Sequence, residues 1–204
     1  MNLKKKGVTI SRGNDKMGLI PSFSLPPVVT CSNCSECSKK CYALRMAKRW
    51  RGVSSSWANN LEVWKENPEA VKAAIINGAI LSGFFRFFVG GDIPDSGFLR
   101  MMCDVANVCK GTRFLTFTKK FDLVNEFLSA GGVLPPNLQI VFIGWGESLR
   151  PCNPFNLPES DVIQKGGTAP NGSKVCGGNC VSCIHAGVAC WELKQGEKIY
   201  FPMH

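Results

Sequence analysis

The chain has 204 residues, 45% of them hydrophobic, and a formal net charge of +9 from 24 Lys and Arg against 15 Asp and Glu. That length and apolar share suit one domain with its own core and exclude the disordered class. A membrane span is excluded too, because the most apolar run, 84–89, is short and interrupted by Arg86, whereas a span needs ~20 apolar residues.

The basic start, residues 1–6, is followed by no apolar segment, which argues against export and for a cytoplasmic, reducing setting. There, closely spaced thiols favour metal or redox chemistry over structural disulfides, and the chain has 11 cysteines. The positive charge points to an anionic partner, nucleic acid first.

In chain order, residues 1–30 read as an irregular arm with a short extended piece at 21–25, and Pro26-Pro27 carries the chain into a cysteine loop. That loop holds Cys31, Cys34, Cys37 and Cys41, spaced C-x2-C-x2-C-x3-C. Helices are expected at 41–50, with Gly52 just past the end, and at 54–66, where Trp57, Leu61 and Trp64 share a face. Asn67-Pro68 opens another, running to residue 81. Residues 84–89 read as a buried strand ending at Gly90-Gly91, and 97–110 as a helix with Phe98, Met101, Met102, Val105 and Val108 as its apolar set. Strand 113–118, helix 121–130 and strand 138–144 follow. This alternation with short links predicts parallel strands and right-handed crossovers.

Residues 145–195 are rich in Gly, Pro and Asn without a regular period, and 198–201 is a further strand. A loop that long needs something else to order it. Cys176, Cys180, Cys183 and Cys190, spaced C-x3-C-x2-C-x6-C, would do so by holding a metal. The single domain thus has an arm and first cysteine loop (1–41), an α/β core (42–144) and a Cys-rich C-terminal segment (145–204).

Thiols at such intervals converge when a loop wraps a soft metal. The first group has the spacing of a bacterial ferredoxin run, with Tyr42 where that motif has Pro. In the second, Gly177-Gly178 lets the backbone bend tightly. Spacing leaves iron–sulfur and zinc both open. Cys103 and Cys109 read as core thiols, Cys152 is undecided, and His185 is more readily a loop residue than a ligand.

Gly90-Gly91-Asp92-Ile93-Pro94, Thr116 to Lys119 and Gly144 to Glu147 each close a strand. Ligands bind at the carboxyl ends of strands in α/β sheets, so a rim carrying all three is a candidate site, although a plain turn explains any one of them. Arg45, Lys48, Arg49 and Arg51 with Trp50 form a basic run that would bind phosphates with Trp50 stacked on a base; a solvated helix face is the commoner source of such runs. No Ser–His–acid set is legible, and no catalytic residue is assigned.

Several of these residues resemble landmarks of the phage and plasmid family called gene product 88. They are Ser24-Leu25-Pro26-Pro27, Thr30-Cys31, Cys37, Cys41-Tyr42-Ala43, Ser56-Trp57, Asn60, Phe85-Arg86-Phe87, Gly91-Asp92, Phe117-Thr118-Lys119 and Pro136-Asn137-Leu138, and the likeness runs on to the C-terminal cysteines and 201–204. The resemblance implies a mobile-element origin and a host-cell cytoplasm setting, and no particular reaction.

A more distant likeness is to radical S-adenosylmethionine enzymes, partial α/β barrels in which three cysteines hold a [4Fe–4S] cluster and a Gly-Gly-Glu-Pro turn binds the cofactor's amine. Gly90-Gly91-Asp92-Ile93-Pro94 is similar, with Asp for Glu and one residue inserted, and Thr118-Lys119 is similar to a Thr-Asn segment of those enzymes. The cysteines depart from that pattern, since C-x3-C-x2-C occurs only at Cys176, Cys180 and Cys183. The likeness implies an incomplete TIM-like barrel of parallel strands. In it, Cys31, Cys37 and Cys41, with Cys34 as the alternative ligand, would hold one [4Fe–4S] cluster. Gly90, Gly91, Asp92, Thr118 and Lys119 would place S-adenosylmethionine on that cluster. Cys176, Cys180, Cys183 and Cys190 would hold a second cluster closing the bottom or mouth of the site. The alternative from another class is a zinc-stabilised nucleic-acid-binding protein without catalysis, acting through Arg45, Lys48, Arg49, Trp50 and Arg51.

Overall fold

The computed structural model describes residues 7–32 and 35–203; the expectations for residues 1–6, Cys34 and His204 lie outside the described residues. In chain order the elements are β1 (Ser22–Phe23), α1 (Ser35–Lys39), α2 (Tyr42–Arg49), α3 (Arg51–Glu66), α4 (Pro68–Ala79), β2 (Phe84–Phe87), α5 (Ser96–Val108), β3 (Arg113–Thr118), α6 (Phe121–Ser129), β4 (Leu138–Ile143), β5 (Glu159–Ile163), β6 (Lys174–Val175), α7 (Cys180–His185) and β7 (Lys198–Pro202). The alternation after residue 84 produces the expected parallel pairing. One seven-stranded sheet runs β1-β2-β3-β4-β5-β7-β6, and every neighbouring pair in it is parallel.

The pleat sends alternate side chains to opposite faces. Phe85, Phe87, Phe114, Leu138, Ile140 and Phe142 meet Leu61, Val71, Ile75, Phe98, Val105 and Val124 of α3 to α6 in one core. Burying each such side chain is worth ~1.5–3 kcal/mol, so this layer gives the sheet a core of its own. The second face carries Phe84, Leu115, Phe117, Val141, Ile143, Ile199 and Phe201. It packs against Met17 and Ile20 of the N-terminal arm and Ala189, Trp191 and Leu193 of the C-terminal segment. By the same alternation Arg86 falls on this second face.

Three expectations change. Gly52 lies inside α3, because the chain breaks only at Trp50, whose extended backbone (φ −121°, ψ 100°) separates α2 from α3. Val108, read as one of the apolar set of its helix, is 56% exposed at the last residue of α5. The region 145–195 contains β5, β6, α7 and a 3-10 turn at Cys190–Glu192. The first two are short and partly polar, and their order comes from pairing with β4 and β7.

Candidate metal centres and the rim cavity

Ser24 and Thr30 fix the turn that follows β2. Ser24 Oγ accepts from the amides of Val89 (3.1 Å) and Gly90 (3.3 Å), and the Leu25 amide donates to the Gly90 carbonyl at 3.0 Å. Thr30 Oγ1 accepts from the Asp92 amide (3.0 Å) and donates to the Pro26 carbonyl (2.9 Å). The next residue is Cys31, so the first cysteine loop starts bound to the C-terminal rim of the sheet.

The two glycines of this turn serve close packing against protein. A Cβ on Gly90 would lie 2.6 Å from the Trp57 ring, and Gly91, at φ +81°, would place one 2.6 Å from the Leu25 carbonyl oxygen. Phe88 also has positive φ, 58°, a conformation costing a non-glycine residue ~1–2 kcal/mol; its amide donates to the Phe23 carbonyl at 2.7 Å.

Asp92 is 4% exposed. Its Oδ1 accepts from Thr118 Oγ1 (2.6 Å) and the Ile93 amide (2.8 Å), and its Oδ2 from the Lys119 amide (2.9 Å). Burial pushes the carboxyl above its ordinary range, and these hydrogen bonds oppose the shift. Asp92 and Thr118 therefore bolt the end of β2 to the end of β3.

These turns border a cavity of about 290 Å³. Cys31, Cys37 and Cys41 line it from the loop, Gly90, Gly91, Asp92 and Lys119 from the rim, Trp145 from the end of β4, and Arg86 from the second face. The loop is tied down twice more: Cys41 Sγ accepts from the Leu44 amide at 3.4 Å, capping α2, and Ser32 Oγ donates to the Lys119 carbonyl at 3.5 Å.

Cys176, Cys180, Cys183 and Cys190 line a second cavity of about 260 Å³. The Cys176 amide donates to the Tyr200 carbonyl (2.8 Å) and the Cys180 amide to the Lys16 carbonyl (2.9 Å). Asn179 caps α7 by accepting from the Ser182 amide at 3.0 Å. Cys180 and Cys183 are thus three apart on one helix, sharing a face. Burial pushes the Cys180 thiol up, and the Cys190 thiol up to about 12, with the neighbouring cysteines adding to the shift in Cys190 and Arg86 opposing it.

Arg86 stands between the two cavities: it lines the first, and its charge acts on Cys180, Cys190 and Cys176 of the second. Among the described residues no group of three or more His, Cys, Asp or Glu is placed so that it could hold a metal ion. By residue type, the thiols lining the two cavities are the donors that a soft metal takes.

Of the other expected site residues, Arg45, Lys48, Arg49, Trp50 and Arg51 are exposed across the α2–α3 junction. The Arg49 guanidinium lies over the Trp50 ring at 5.5 Å, and Arg45 alone of the five lines the rim cavity. His185 is exposed, Cys152 is exposed, and Cys103 and Cys109 are core. Sequence reasoning missed Arg86 and Lys40 as cavity residues. The signal for Arg86 was a cation within an otherwise apolar strand.

A parallel α/β sheet with one cysteine loop at its strand ends and a second cysteine segment on its open face defines the class. The sequence model described as Gene product 88 matches residues 2–161, and the chain belongs to that family. The match takes in the first cysteine group and the rim turns and stops before the second group. No curated protein and no solved structure matches the chain, so the likeness to radical S-adenosylmethionine enzymes rests on motifs alone.

Proposed function

We propose that this Gene product 88 protein is a metal-binding protein of a mobile element, working in the host cytoplasm. Both cysteine groups hold metal, as [4Fe–4S] clusters in the favoured form, and the first centre faces a ligand cavity. The observation that supports this reading is the placing of Cys31, Cys37 and Cys41 on the same cavity as Gly90, Gly91, Asp92 and Lys119, at the strand ends where α/β sheets bind ligands. The one-directional strand order from β1 to β5 supports an incomplete barrel.

An iron–sulfur cluster would supply electron transfer or an open iron site when bound. The chain's own contribution is to anchor the cysteine loop through Thr30 and Cys41, and to hold the rim rigid through Asp92 and Thr118. The geometry supports ligand binding here more strongly than S-adenosylmethionine in particular, because Asp92 already accepts three hydrogen bonds. Protein purified without oxygen is assayed for iron, sulfide and, with S-adenosylmethionine and a reductant, for 5′-deoxyadenosine. Zinc without iron would sink the iron–sulfur form, and iron without 5′-deoxyadenosine its radical form.

The second reading, a zinc-stabilised nucleic-acid-binding protein, is supported by the exposure of Arg45, Lys48, Arg49, Trp50 and Arg51. It requires salt-dependent binding that weakens when these cations are neutralised.

A further inference from the structure

A guanidinium drawn out of water is costly unless an opposite charge meets it. Arg86 has no carboxylate ion pair among the described residues, and its Nε is buried without a hydrogen-bond partner; the acidic groups its charge acts on are the thiols of Cys180, Cys190 and Cys176 on the side of the second cavity, and its ring contact is Phe117, 5.0 Å from the guanidinium carbon. A cation–π contact offsets only part of that cost.

The surroundings repeat the imbalance. Lys40, Arg45 and Lys119 line the same cavity as Arg86, and none of them makes a salt bridge among the described residues, although the charge of Lys119 acts on Asp92. The acid lining the cavity is Asp92, whose oxygens already accept from Thr118, Ile93 and Lys119. Flat aromatic surface is present as well: Trp145 and Tyr42 line the cavity, and Lys119 Nζ lies 5.7 Å from the centre of the Trp145 ring.

We propose that the rim cavity binds a phosphorylated nucleoside, free or as a unit of a single strand, with its phosphate among Arg86, Lys40, Arg45 and Lys119 and its base against Trp145 or Tyr42. Cations supply charge-assisted hydrogen bonds to phosphate oxygens, and a ring face holds a base with little regard to its identity. The inference rests on the reading of this cavity as a ligand site, and does not need the metal.

The test is calorimetric titration of the full chain at low salt with AMP, adenosine and a short oligothymidylate, with metal content measured on the same samples. AMP is expected to bind at least about 10-fold more tightly than adenosine, as a charge-assisted phosphate contact requires. Arg86→Met is expected to weaken AMP by about 10-fold or more while Arg86→Lys retains most of the affinity, and Lys119→Gln weakens it several-fold. If Arg86→Met fails to fold, the AMP-to-adenosine ratio and Lys119→Gln decide alone. Oligothymidylate binding tighter than AMP with the same dependence on Lys119 identifies a strand as the source, and AMP binding as tight or tighter identifies a free nucleotide. AMP and adenosine binding alike, AMP binding indifferent to both cations, or no binding at all overturns the proposal. Phosphate selectivity in protein purified without oxygen and found free of metal would instead count against the metal reading alone.

Discussion

Asp92 is a buried carboxylate whose task is to join two strand ends. Its ionised form accepts from one hydroxyl and two amides, bonds that are stronger than neutral ones. Asp92→Ala leaves those donors without their acceptor, and urea unfolding should show a loss of ~2–4 kcal/mol. Cys103 makes a prediction about pH. Burial, with Asp104 adding, pushes its thiol from 9.0 up to about 11, so the fold disfavours the thiolate. Its contribution is complete below the unfolded pKa near pH 9 and is lost as pH rises toward 11, at ~1.4 kcal/mol per unit. Stability measured at pH 8 and pH 10.5 should fall less in Cys103→Ala than in the natural sequence. At this scale the residue types of the rim were legible before the structure, but their partners were not. Gly90-Gly91 advertises close approach; that the approaching groups are Trp57 and Leu25 depends on how α3 and the arm pack.

The elements on the helical side were legible because their periods are strong: Asn67 caps α4, and Leu61 and Trp64 are buried on one face of α3. β5 and β6 were not, since Glu159–Ile163 mixes acid and apolar residues and Lys174–Val175 is two residues long. Pairing with β4 and β7, rather than local propensity, makes them strands. The contact of α3 with the turn after β2 gives a test of element packing. Gly90→Ala sets a methyl 2.6 Å from the Trp57 ring and should cost ~1–3 kcal/mol. Trp57→Leu should cost less in the Gly90→Ala background than alone, and a double-mutant cycle in urea measures the difference. Additive effects would mean that the turn and α3 do not meet as described.

The whole molecule divides its labour between the two faces of one sheet. The helical face holds one core, and the alternation of strands and helices that builds it made the parallel α/β class legible. The other face is covered by the arm and the second cysteine segment, and this arrangement depends on contacts between residues as far apart as Lys16 and Cys180, which no local pattern encodes. The central claim is that both thiol sets are metal ligands. It is tested most directly by counting metal and sulfide per chain in protein purified without oxygen, for the natural sequence, Cys37→Ser and Cys183→Ser. The prediction is iron and sulfide in the natural sequence, with each substitution removing one part of the load and leaving the other. A folded protein that carries no metal, with its cysteines outside the core open to thiol titration, would contradict the account.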